Sequence, residues 1–241
     1  MSIRVRALSV AAGLVLALPA LGWGPVSAAH SAQRVSKGSL HLIHPGILTV
    51  GSDTTYPPME SRDVHTGKNV GADVDLAKAL AHAMGLRGAN VVTTNFNTII
   101  PSLQRRNFDV IMSSMNDTPL RRRQIAFVDY MRASEGIVVQ KSSSIHGNSY
   151  AALCGHSIAV ESGTTEFDGV KQANKHCAKK IDVHTYTLDT AAFEAFASGH
   201  TVSYSGDLPV CALYVKKHPA LRLAGKAFGA GENYGIGVLY R

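Results

Sequence analysis

The stretch Phe108-Asp109-Val110-Ile111-Met112-Ser113-Ser114-Met115-Asn116-Asp117-Thr118-Pro119-Leu120-Arg121 decides the fold. Residues 108–113 form an apolar run short enough for a buried strand, and the polar loop after it ends at Thr118-Pro119. That pair is a helix start: a hydroxyl cap followed by a proline whose missing N–H costs nothing in the first turn. A strand that runs through a polar loop into a helix is the repeating unit of an α/β sheet.

Upstream, residues 46–51 read as a buried strand that ends at Asp53, with Tyr56-Pro57-Pro58 in the following loop. Residues 63–70 carry hairpin signals around Thr66-Gly67-Lys68-Asn69. Leu76, Leu80 and Met84, with Ala77 and Ala81, recur every three or four residues. This spacing predicts a helix capped near Asp73 and stopped by Gly85. Residues 90–94 form a strand, and Asn97 caps a second helix that carries Pro101 and ends near Asn107. Downstream the pattern restarts. Strands are expected at 136–140, 157–160, 181–186 and 202–205. Between them lie a linker-like run at 141–149 and helices after Ser162-Gly163-Thr164-Thr165, from Asp189 to Gly199, and over 209–217. Two α/β halves joined near residue 136 predict two lobes with a cleft between them. Ligands in such sheets sit beyond the carboxyl ends of the strands, at helix starts.

Composition narrows the function classes. Of 241 residues, 45% are hydrophobic and 17% charged, which excludes a disordered or collagen-like chain. The net charge of +7 is spread thinly, with its densest cluster at Arg121-Arg122-Arg123 and no interleaved aromatics. No nucleic-acid partner is expected. Eleven scattered histidines, with His41 and His44 the closest pair beyond the leader, give no metal set, and no cofactor is expected. There is no nucleophile elbow, no HExxH and no convincing acid/base pair. Gly229-Ala230-Gly231 lacks dinucleotide-binding spacing.

Arg4 and Arg6 precede an apolar run at 7–23, and small residues follow in Val26-Ser27-Ala28-Ala29. The pattern is that of a secretory signal peptide cut after Ala28, with Ala29 and Ala32 as alternatives. A membrane anchor is disfavoured, because the run is short for a span of ~20 residues and contains Pro19. Export makes a disulfide between Cys154 and Cys177 the expectation, with Cys211 a buried free thiol.

Eight pieces in order resemble the type 2 periplasmic solute-binding proteins of the polar amino-acid family, family 3. They are Gly51-Ser52-Asp53 with Tyr56-Pro57-Pro58, the run 70–77, the run 95–104, the run 108–114, Thr118-Pro119-Leu120-Arg121, Phe127-Val128-Asp129-Tyr130, the run 160–165 and the run 206–210. The resemblance implies a two-lobed α/β fold with a ligand cleft. It divides the chain into signal peptide 1–28, lead-in 29–45, lobe I 46–135, lobe II 136–230 and a strand at 231–241 returning toward lobe I. Three departures stand out. Ala72 replaces a usual large aromatic, Arg106-Asn107 replaces a helix-ending glycine, and the usual C-terminal helical tail is lacking after Arg241. An under-packed first lobe is expected from the last.

The implied function is capture of a free amino acid in the periplasm and its delivery, by a monomer, to an ABC importer permease in the inner membrane. By resemblance, Arg121 forks the ligand carboxylate with help from Thr164 and Thr165, and Asp207 takes the ammonium. Ser114 and Asn116 add oxygens from the first lobe. Asp53 and Glu161 face the ligand side chain between Tyr56 and Phe96, which favours arginine, lysine or ornithine and leaves glutamine and histidine open. Each residue also has a plainer reading. Arg121 would be solvated, while Asp207, Thr164 and Thr165 would be helix caps and Tyr56 and Phe96 core aromatics. Asp53 would merely end its strand, and Glu161 would point to solvent. Asp73 and Asp75 read as a helix-start pair. A sensory domain using the same cleft, or a dehydratase of the same fold, is the alternative.

Overall fold

The computed structural model describes residues 40–229, 231 and 233–240; the expected signal peptide lies outside them. In chain order, β1 (Ile47–Ser52) is followed by three short strands, β2 (Thr55–Tyr56), β3 (Glu60–Arg62) and β4 (Asn69–Val70). Next come α1 (Ala72–Ala83), β5 (Gly88–Thr93), α2 (Ile99–Gln104), β6 (Val110–Ile111), α3 (Pro119–Arg122) and β7 (Ala126–Arg132). The second half holds β8 (Glu135–Gln140), β9 (Ser157–Glu161), α4 (Thr165–His176), β10 (Asp182–Tyr186), α5 (Asp189–Ala197) and β11 (Ser203–Asp207). It continues through α6 (Leu208–Lys217) and β12 (Leu221–Leu223) to β13 (Asn233–Val238).

Two five-stranded sheets result. The first has the order β5-β1-β6-β13-β7 and the second β10-β9-β11-β8-β12, while β2, β3 and β4 form a small third sheet. In each large sheet three strands run parallel and the other two antiparallel to their neighbours. The central strands are buried on both faces, which is why β1 and β9 lack the polar–apolar alternation of a half-exposed strand. The chain leaves the first sheet after Arg132, enters the second at Glu135, and comes back as β13 between β6 and β7. Ile236 is buried in that strand, whereas Val128 on β7 and Tyr240 are more than half exposed.

Several local expectations shift. Strand pairing in β6 is confined to Val110–Ile111, although Asp109 N–H donates to Thr49 O and Met112 N–H to Gly51 O just outside it. Asn95, not Asn97, caps the segment before α2, its side chain accepting from Asn97 N–H at 2.9 Å. The cap of α1 is Gly71 rather than Asp73, with φ at 124°. A Cβ there would lie 2.3 Å from the Met59 carbonyl oxygen, so glycine is required. Asp189 is the first residue of α5 and makes no cap. Its buried carboxylate accepts from the Tyr204 hydroxyl and, at 3.1 Å, from the Tyr214 hydroxyl.

Candidate functional site: the cleft between the two sheets

The strand ends of the two sheets meet. Asp53 follows β1, Ser113 and Ser114 follow β6, Glu161 ends β9 and Asp207 ends β11. They line a narrow cleft together with Tyr56, Glu60, Phe96, Asn116, Thr164 and Glu166. Five carboxyl groups and no lysine or arginine stand on this inner surface.

The first-lobe acids are fully bonded within the protein. Asp53 accepts from the Thr55 backbone N–H at 3.1 Å, from its hydroxyl at 2.6 Å, and from the Phe96 N–H at 3.1 Å. Burial pushes its pKa up, and these bonds pull it back. Glu60 accepts from the Ser113 and Ser114 hydroxyls at 3.2 and 3.0 Å. Behind it, Asp73 accepts from Ser114 N–H at 2.8 Å and from the Tyr130 hydroxyl at 2.7 Å. Ser114 reaches both acids because its φ is 46°, a left-handed conformation that costs about 1–2 kcal/mol in a non-glycine residue. Burial and the nearby Asp73 push Glu60 well above the ordinary carboxylate range. Asp73 and Asp75 both stand in the first turn of α1, as expected, but Asp73 is buried and serves as an acceptor.

The second-lobe acids differ. Glu161, Glu166 and Asp207 are 4%, 2% and 3% exposed. In each, one oxygen has no hydrogen-bond partner within 3.5 Å: Oε1, Oε1 and Oδ1 respectively, although the equally unpartnered Tyr234 hydroxyl lies close to Asp207 and lowers its pKa. Burial, and then the charges of Asp53, Asp189 and Glu166, push Glu161 up to about 10. Burial followed by Glu166 raises Asp207 well above its usual value. Glu166 is raised by burial but held down by its own backbone N–H, Thr165, Arg121 and Thr164.

Polar bonds tie the two walls together. The Tyr56 hydroxyl donates to Asp207 Oδ2 at 3.1 Å and accepts from Asp207 N–H at 2.7 Å. Arg121 Nη1 donates to Asn116 O at 2.8 Å, and its Nη2 crosses to Gly163 O at 3.1 Å. The Arg121 guanidinium lies 5.3 Å from the Phe96 ring centre, a cation–π distance. Thr165 Oγ1 faces Asn116 Oδ1 at 3.2 Å and Glu166 Oε2 at 3.3 Å, and its single proton serves one of them at a time. Asn97 Nδ2 donates to Ser162 Oγ at 2.7 Å, and Asn95 Nδ2 donates to Thr187 O at 3.0 Å.

Eight of the ten expected residues line the inner cleft: Asp53, Tyr56, Phe96, Ser114, Asn116, Glu161, Thr164 and Asp207. Arg121 and Thr165 lie beside it, on an adjoining outer groove. The Thr164 hydroxyl donates to Glu161 O at 2.8 Å and accepts from Phe167 N–H at 3.2 Å, the bonds of a helix cap. Asp207 holds the cap position of α6 but makes no side-chain cap bond. Glu60, Ser113 and Glu166 line the cleft without having been singled out in the sequence. A glutamate in the first turn of a helix reads as a dipole partner, which hid Glu166. Away from the cleft, Cys154 and Cys177 form a disulfide with Cα atoms 5.4 Å apart, and Cys211 is a buried free thiol.

The sequence pattern of the bacterial extracellular solute-binding proteins, family 3, matches residues 48–222. The chain belongs to that family. This family 3 protein is 30% identical over 193 residues to the ABC transporter arginine-binding protein 1 of Escherichia coli, covering 79% of this chain and 75% of the relative. Its fold is similar to that of an ancestral arginine-binding protein bound to arginine, with a TM-score of 0.75 and 34% identity over 80% of this chain and 84% of the other. It is also similar to an ancestral amino-acid-binding protein that is a precursor of cyclohexadienyl dehydratase, with a TM-score of 0.70 and 34% identity over 80% and 82% of the two chains.

Proposed function

We propose that this family 3 protein binds a free amino acid with a cationic side chain and delivers it to an ABC importer. The observation that carries this reading is the set of three buried second-lobe acids that line the cleft, each with an oxygen lacking a partner within 3.5 Å. A buried acceptor left unpaired costs about 1–3 kcal/mol, so a ligand rich in N–H donors recovers what the protein alone does not. In this reading Asp207 takes the α-ammonium, while Glu161, with Asp53 behind it, takes the side-chain cation. Tyr56 and Phe96 pack along the methylenes. Arg121 with Thr164 and Thr165 marks the carboxylate end, and Ser114 and Asn116 close the first-lobe side. We place the mature protein in the periplasm as a monomer, with residues 1–28 removed and lobes I and II spanning residues 46–135 and 136–230.

A thermal-shift and calorimetric panel of arginine, lysine, ornithine, histidine, glutamine and glutamate tests the specificity. A bound ligand raises apparent stability by mass action, and the cations should give the largest shifts. A larger shift with glutamate than with arginine or lysine overturns the reading. The dehydratase reading draws on the dehydratase precursor among the similar structures and on Glu161, whose raised pKa suits a general acid. It requires that a bound ligand be recovered chemically changed.

A further inference from the structure

The end of the cleft that would receive a ligand carboxylate already holds one of the protein's own. Glu166 is the second residue of α4, where Thr164 takes the Phe167 N–H and leaves the Glu166 carboxylate two donors of its own. It accepts from its own backbone N–H and faces the Thr165 hydroxyl at 3.3 Å. It also lies within the field of Arg121. Arg121 in turn donates Nη1 and Nη2 to the carbonyls of Asn116 and Gly163, and it lines the outer groove rather than the inner cleft. Around the inner cleft the unmet carboxyl oxygens are Glu161 Oε1, Glu166 Oε1 and Asp207 Oδ1, the last with the Tyr234 hydroxyl beside it.

We propose that the ligands of this cleft include organic dications that carry no carboxylate, the amines left when cationic amino acids are decarboxylated, and that these bind at least as tightly as the parent amino acids. This rests on the cationic-ligand reading above. A ligand carboxylate must enter beside Glu166, where like charges in a water-poor cleft repel, or else drive Glu166 off its bonds at the α4 start. An amine or guanidine end meets no such obstacle. It brings donors to Glu166 Oε1 and to Asp207 Oδ1, and its other end brings donors to Glu161 Oε1. Among the described residues no group of three or more His, Cys, Asp or Glu side chains is placed to hold a metal ion, so these acids do not converge as a metal site.

The test is calorimetric titration of the mature wild-type protein with two pairs that differ only by the carboxylate: arginine against agmatine, and lysine against cadaverine. Each amine is expected to match or exceed the affinity of its amino acid. In Glu166→Gln, which removes the charge and keeps the shape, the preference should swing toward the amino acid by about ten-fold or more. Tighter wild-type binding of arginine and lysine than of their amines overturns the proposal and leaves the cationic amino-acid reading standing. Binding by none of the four overturns both. An unchanged ratio in folded Glu166→Gln overturns the part given to Glu166, and the wild-type comparison stands whether or not that variant folds.

Discussion

The two walls of the cleft carry the same kind of group in the same degree of burial, yet use it differently. On the first lobe Asp53, Glu60 and Asp73 spend their oxygens on Thr55, Phe96, Ser113, Ser114 and Tyr130. On the second lobe Glu161, Glu166 and Asp207 each keep an oxygen with no partner within 3.5 Å. Neither burial nor charge separates the two sets. Only the count of satisfied acceptors does, and it assigns the first wall to holding the fold and leaves the second with unmet capacity for a ligand.

That contrast can be broken most severely at Asp73. Its replacement by alanine strands two buried donors, Ser114 N–H and the Tyr130 hydroxyl, at about 1–3 kcal/mol each. Chemical denaturation should show a loss of about 2–6 kcal/mol, and an unchanged midpoint would mean that the first wall is not a fastener. The complementary change, Asp207→Asn, should weaken cation binding by about 2–5 kcal/mol in calorimetry, the usual penalty at a buried charged contact. Equal affinity in that variant would remove the second wall from recognition. A third probe leaves both walls alone. Breaking the Cys154–Cys177 bridge by paired serine substitution should cost about 3 kcal/mol of stability by the chain-entropy argument for a loop of this size. Ligand affinity should stay as it was, and a matching loss of affinity would show that the bridge shapes the cleft.

The smallest expected effect is a pH slope. Asp189 and Glu161 are both raised, to about 8 and about 10, so the unfolded chain releases these protons at lower pH than the native one. Their contribution is complete below the unfolded values and is lost as pH climbs through the native ones. The ligand-free melting temperature should therefore fall between pH 5 and pH 9. Saturating lysine should flatten the slope by holding Glu161 ionised. A melting temperature that rises over that interval contradicts the assignment of both groups.

Much of the architecture was legible because apolar runs and helical spacing are local. The strand at Ile47–Ser52, the Thr118-Pro119 helix start and the α4 start after Gly163 could all be read from neighbours alone. The Asp189 cap and the burial of Asp73 could not be read, because a carboxylate at a helix start looks the same whether it faces water or a buried tyrosine. Tyr130 lies 57 residues from Asp73, and nothing in the sequence joins them. Most of the cleft-lining positions were reached through the ordered family motifs. Glu60 and Glu166 were not, since their value lies in the bonds that each makes or fails to make, and only the folded geometry decides that.

Tyr56 belongs to the first half of the sequence, but its ring is buried in the cluster that contains Phe193 and Tyr204 of the second, and its hydroxyl both gives to and takes from Asp207. The cleft cannot part without withdrawing that phenol, wetting its ring and stripping a buried acid of its donor. Escape of any ligand is thereby tied to one motion of the protein. Ligands of unequal affinity should then leave at similar speeds, so that differences between them show mainly in how fast they are caught.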